Sequence, residues 1–190
     1  MLTSLLMLCL VQDIPPKPPI VTRAEWRAKP MLPGAIPHVV HTITIHHTGV
    51  KSNRNRSLED KLAGLQAFSQ REDKLANGKT KPAWPDVPYH YYIAIDGRIG
   101  EGRDPNFQGD TNTEYNPKGH LLIVVEGEFN TEKPTQEQLG SLVVLTRWCC
   151  WRYHVSPDTI AGHGDHSKQT DCPGDNLKSF LPLLRKQCAE

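Results

Sequence analysis

Three residues of metal-ligating type stand where a chain can hold a side chain out into a cleft: His46, His163 and Cys172. His46 falls near the end of a β-branched run, residues 38–47 (HVVHTITIHH), just before Thr48-Gly49, and the end of a strand is a rigid place from which to project a ligand. His163 sits in AGHGD at 161–165, and Cys172 follows in TDCPG at 170–174. Two imidazoles and a thiolate suit zinc, and three protein ligands leave a fourth position for water, as in a catalytic rather than a closed structural site. Each residue also has a plainer reading when taken alone. A strand-end histidine can be held by hydrogen bonds, and a cysteine before Pro-Gly can be a small buried residue at a turn. His47 shares the face of Ile45 and reads as a packed, hydrogen-bonded core histidine.

Elements must bring these residues together. In residues 38–47, alternation places Thr42, Thr44 and His46 on one face of a strand and Ile43, Ile45 and His47 on the other. Residues 57–75 (SLEDKLAGLQAFSQREDKL) have apolar residues at helical spacing behind a serine cap, which predicts an amphipathic helix with a wet polar face. Residues 88–95 followed by Asp96-Gly97 predict a strand and tight turn, with 98–101 returning beside it. The continuous apolar run 121–125 predicts a strand buried on both faces. Residues 135–153 open with a Thr cap and carry Leu139, Leu142, Val143, Leu145, Trp148 and Cys149 at helical spacing. A last helix is predicted over 177–187. The fold class is therefore α/β: a single domain with a central mixed β-sheet flanked by about three helices.

Length and charge narrow the partner. A chain of 190 residues suits one domain. With 22 Lys plus Arg against 21 Asp plus Glu, nothing electrostatic selects nucleic acid or an anionic membrane surface. Residues 1–11 (MLTSLLMLCLV) form an apolar run of signal-peptide length, too short to span a bilayer, which predicts export to a periplasmic or extracellular space. No other stretch is long and apolar enough for a membrane span. Residues 13–20 (DIPPKPPI) hold four prolines and read as an extended tether, so the domains are a leader and linker over 1–20 and a folded unit over 21–190. The cysteines, Cys9, Cys149, Cys150, Cys172 and Cys188, are too few and too unevenly spaced for a disulfide framework. Buried free thiols are expected, the alternative being Cys188 bridged to Cys149 or Cys150.

Successive blocks of the chain resemble one family. These are VTRAEW at 21–26, ITIHHTG at 43–49, DVPYHY at 86–91 with DGRI at 96–99 and EGR at 101–103, GEFN at 127–130 with Pro134-Thr135 and Gln138-Leu139, and Gly162-His163 through TDCPG at 170–174. In this order, over roughly residues 21–185, they are similar to the type 2 N-acetylmuramoyl-L-alanine amidases, which include the peptidoglycan recognition proteins and the bacteriophage lysozyme-type amidases. The resemblance implies zinc held by His46, His163 and Cys172. It implies Tyr89 as a catalytic-site residue, Thr170 at the position two before the last ligand, and Glu126 as the counterpart of a catalytic glutamate in the anhydromuropeptide amidases. Two stretches depart from the family. Gly109-Asp110-Thr111 stands where members often have Gly-Ala-His, and Gly164 replaces the arginine of a Gly-His-Arg-Asp pattern.

The implied reaction is hydrolysis of the amide between the N-acetylmuramoyl lactyl group and L-alanine, in peptidoglycan or muropeptides, by a monomer. Zinc would activate water, Glu126 would serve as general base and then acid, and Tyr89 or Thr170 would donate to the oxyanion. Two rivals remain. One is a binding receptor of the same fold, whose members typically lack the zinc cysteine; the other is a structural zinc domain, which would need His47, His90 or His166 as a fourth ligand.

Overall fold

The structure, a computed structural model, describes residues 14–75 and 78–190. The leader expected over residues 1–11, Cys9 included, lies outside the described residues. The central sheet contains β1 (Ile20–Val21), β2 (Thr42–His47), β5 (Tyr91–Ile93), β6 (Ile99–Glu101), β7 (His120–Val125) and β8 (Ala161–Gly162). Its six strands run in the order β1-β6-β5-β7-β2-β8. The β5–β6 pair is antiparallel and the other pairs are parallel, so the sheet is mixed. A separate two-stranded ribbon pairs β3 (Asp73–Lys74) with β4 (Thr80–Lys81).

The longest strands, β2 and β7, pair parallel, in register from Thr42 opposite His120 to His47 opposite Val125. Side chains alternate along both strands, so one face carries Ile43, Ile45, Leu121, Ile123 and Val125 into a core with α2 (Gln136–Tyr153) and α5 (Leu181–Ala189). The opposite face carries Tyr92 and Val124 against Leu58 and Leu62 of α1 (Leu58–Ser69) and against Trp26. His46 belongs to this second face and His47 to the first, as the alternation predicts. Among the described residues, no helix is long and apolar enough to cross a membrane.

Helix α2 starts as its sequence demands: Thr135 Oγ1 accepts from Gln138 N at 3.1 Å and Gln138 Oε1 accepts from Thr135 N at 3.1 Å. Helix α1 begins at its Ser57 cap but is shorter than predicted, ending at Ser69. The buried Lys81 ammonium donates to the carbonyls of Ser69 at 2.9 Å and Arg71 at 2.8 Å, taking acceptors that a longer helix would need. The polar face of α1 is only partly wet, with Asp60 exposed. Lys61, Gln66 and Ser69 are buried, with Gln66 bridging Asp86 and the backbone of Lys29.

The last helix is two short ones, α4 (Asp175–Lys178) and α5, which the sequence pattern had joined. Pro182 stands in the first turn of α5, where its missing N–H is harmless but could not continue an earlier helix. The proline-rich stretch is not wholly a free tether. Pro18 is buried, Lys17 Nζ lies 5.7 Å from the Trp148 ring centre, and Ile20 and Val21 pair with Ile99 and Gly100. Cys149, Cys150 and Cys188 are buried free thiols, as expected, and Cys172 is likewise buried and unbridged.

Candidate metal centre

Strand register brings the two histidines together. β8 pairs parallel with β2 so that Ile45 lies opposite Gly162, and the residue that follows each is a histidine, His46 and His163. Their ring centres are 4.6 Å apart. His163 opens the single-turn helix α3 (His163–His166), which leaves the sheet at this point.

Cys172 arrives from a turn folded against α3. Gly164 N donates to Cys172 O at 2.6 Å, and a Cβ at Gly164 would lie 3.0 Å from Thr170 O and 3.1 Å from Cys172 O. A glycine at this position, where the family pattern has arginine, lets the two segments approach closely. The sulfur accepts from His47 N at 3.3 Å and lies 3.7 Å from His46 Nδ1. Thr170 Oγ1 accepts from Cys172 N at 3.1 Å, which braces the turn.

Ligand atoms from His46, His163 and Cys172 all lie within 4.8 Å of one another, in the one such cluster among the described residues. Tetrahedral zinc with bonds of about 2.0–2.3 Å would place ligand atoms about 3.3–3.6 Å apart, so little movement is needed to close the set around an ion. One further feature fits a cation here. His46 Nε2 is buried with no hydrogen-bond partner, although a buried imidazole nitrogen is normally satisfied. Burial pushes the Cys172 thiol up to about 12, so binding a metal there would have to release its proton. Burial, with His163 nearby, holds His46 well below the usual histidine range, and burial with His166 nearby lowers His163 to about 4. Both imidazoles are thus neutral at pH 7, the form that binds metal.

The other predicted site residues are placed unequally. Tyr89 stands beside the cluster, its ring centre 5.2 Å from that of His46, and burial raises its phenol above the usual range. Glu126 is employed elsewhere. Its Oε1 accepts from Asn53 N at 2.9 Å, and its Oε2 accepts from Lys61 Nζ at 2.8 Å and Ile95 N at 2.9 Å. These contacts tie the end of β7 to α1 and to two loops, and none is with His46, His163 or Cys172. His47 is the packed core histidine expected, its Nδ1 accepting from Phe129 N at 3.3 Å. His90 is held between Leu122 N and Phe107 O, at 2.7 and 3.0 Å, and His166 packs against Tyr115 and His120, so neither joins the cluster.

Sequence reasoning missed the segment that covers His163. Thr113 Oγ1 is 2.8 Å from His163 Nε2, and the Tyr115 ring centre is 5.0 Å from that of His163. Its one trace in the sequence was the replacement of Gly-Ala-His by Gly109-Asp110-Thr111. Lys61 was missed as well, because a helix lysine reads as a solvated charge.

The chain is similar to peptidoglycan recognition proteins and to N-acetylmuramoyl-L-alanine amidases. A family model described as N-acetylmuramoyl-L-alanine amidase matches residues 37–175. Peptidoglycan recognition protein 1 of Mus musculus is 31% identical over 166 residues, covering 85% of each chain. The crystal structure of Drosophila peptidoglycan recognition protein SD aligns with a TM-score of 0.71 at 28% identity, covering 86% of this chain and 92% of that one. The endolysin amidase LysCS of Clostridium intestinale aligns with a TM-score of 0.65 at 27% identity, covering 90% of this chain and 97% of that one.

Proposed function

The chain belongs to the N-acetylmuramoyl-L-alanine amidase family, and from that premise we propose that it is a zinc-dependent amidase cutting the bond between the N-acetylmuramoyl lactyl group and L-alanine of peptidoglycan stem peptides. The observation that carries this reading is the convergence of His46, His163 and Cys172 into one buried set with room for an ion. Cys172 weighs most, since binding receptors of this fold typically lack it. Three ligands without a fourth favour an open catalytic site over a closed structural one.

Bound zinc would supply Lewis acidity, polarising the lactyl carbonyl and lowering the pKa of water at the open position. The remaining work falls to this chain's own groups. Tyr89, whose phenol keeps its proton at neutral pH, donates a hydrogen bond to the oxygen that gains charge as the carbonyl is attacked. Thr170 holds the Cys172 backbone and keeps its own hydroxyl proton for the same oxygen or for the leaving group. One water is consumed: its hydroxyl joins the lactyl carbon, and its proton leaves with the alanine nitrogen as a free amine. Glu126 is assigned a positioning role in place of the general base expected from the sequence, because Lys61 and two backbone N–H groups occupy its carboxylate. The protein is further assigned to export, in keeping with the apolar run at 1–11 and a substrate that lies outside the cytoplasm.

The deciding experiment incubates zinc-loaded protein and a Cys172→Ala variant with purified peptidoglycan and looks by mass spectrometry for peptides beginning with free L-alanine. Release by the unaltered protein alone is expected. Retained muropeptide binding with no release by either protein would move the chain to the receptors.

A further inference from the structure

The amidase reading names three ligands but leaves open which nitrogen of His163 faces the ion and what holds the ring. The loop carrying Thr111 and Thr113 bears on both. Thr113 Oγ1 lies 2.8 Å from His163 Nε2, and Thr111 Oγ1 lies 3.4 Å from the same nitrogen. The two hydroxyls are 2.8 Å apart, and Thr113 N donates to Thr111 Oγ1 at 3.1 Å, which fixes the loop's own shape. The loop is also fastened to the chain just beyond His163: the Glu114 carboxylate accepts from Ser167 Oγ at 2.6 Å and Lys168 N at 3.0 Å. Tyr115 closes the arrangement with its ring against His163.

A neutral imidazole carries one N–H and one lone pair. Thr113 Oγ1 can accept that N–H and donate its own O–H to Thr111 Oγ1, so the arrangement is satisfied when His163 is protonated at Nε2. Its lone pair is then on Nδ1. Partners of this kind set the tautomer and ring orientation of metal-bound histidines. We infer that Thr113 is a positioning residue for the metal centre, holding His163 with Nδ1 towards His46 and Cys172, and that residues 111–115 form a clasp on this ligand. The inference rests on the metal reading of His163. It also gives a use to the stretch where this chain departs from its family, since the clasp begins at the replaced histidine position, Thr111.

The test uses Thr113→Val, which keeps the shape and removes the hydroxyl, together with Thr113→Ser, which restores the hydroxyl. Zinc affinity is measured by competition with a fluorescent chelator, and the His163 tautomer is read from imidazole nitrogen shifts in the zinc-free protein. The Val variant should bind zinc about 10–100-fold more weakly and lose the fixed Nε2–H signal, as is usual when a ligand's hydrogen-bond partner is removed. The Ser variant should recover both. Unchanged or tighter binding by the Val variant would overturn the clasp, since Thr113 would then merely occupy space near Nε2. A His163→Ala control separates the two levels: if it binds zinc as tightly as the unaltered protein, the metal reading itself fails, and the clasp with it.

Discussion

Lys61 Nζ lies 2.8 Å from Glu126 Oε2, with both side chains buried between helix α1 and the end of strand β7. Removing one member of such a pair leaves an uncompensated charge, so Lys61→Met should destabilise the fold by about 3–5 kcal/mol. Lys61→Met combined with Glu126→Leu should regain a large part of that loss. Denaturant unfolding of the two variants measures the difference. The double variant, once folded, should retain zinc binding and amide cleavage, because neither residue touches the cluster; loss of cleavage with zinc retained would return Glu126 to the site as general base.

Tyr89→Phe separates catalysis from assembly. Removing a donor to a developing oxyanion costs about 10²–10³ in kcat. Zinc affinity should be unaltered, since the phenol is no ligand. Steady-state kinetics with a muropeptide, beside a chelator competition assay, gives both values, and an unchanged kcat would remove Tyr89 from the mechanism.

Metal removal should lower stability by mass action. An ion that binds only the folded chain and is present at 1,000 times its Kd adds about 4 kcal/mol. Chelation should therefore lower the melting temperature of the unaltered protein. The melting temperature of Cys172→Ser should respond little, which calorimetry with and without chelator would show.

His90 makes the fold sensitive to acid. Burial lowers it to about 3, against an ordinary 6.5, and its Nδ1 must stay unprotonated to accept from Leu122 N. Above pH 6.5 it is neutral in both the folded and unfolded chain. As pH falls from 6.5 towards 3 the unfolded chain takes up a proton that the folded one refuses, so stability declines by up to about 1.4 kcal/mol per pH unit. His90→Gln should flatten the stability profile between pH 6.5 and 4 by about one proton's worth. An equally steep profile would place the acid sensitivity elsewhere.

What the sequence disclosed follows from how local each signal is. Strand β7 was legible because burial on both faces requires an unbroken apolar run. Helix α2 was legible because Thr135 and its apolar spacing lie within one segment. The ligands were legible as residue types, and their order along the chain matched a family. Interactions between distant residues were not legible. Lys61 and Glu126 are 65 positions apart, and only the fold turns a polar helix residue into a buried partner. The end of α1 depends on Lys81, which arrives from the β3–β4 ribbon. The break between α4 and α5 was the exception, since Pro182 marks it within the segment itself. Thr113 had no signal of its own, because a short polar loop has no periodicity and its meaning comes from where His163 stands.

The two-residue length of β8 has a kinetic consequence. His46 is carried by a six-residue strand paired on both sides, whereas His163 is carried by the sheet's margin, where a few hydrogen bonds separate the closed from the frayed state. An ion held between them has a fixed wall and a hinged one. Its escape rate would follow the opening of that margin rather than global unfolding, so bound metal should exchange in conditions where the core amides of β2 and β7 remain protected from deuterium.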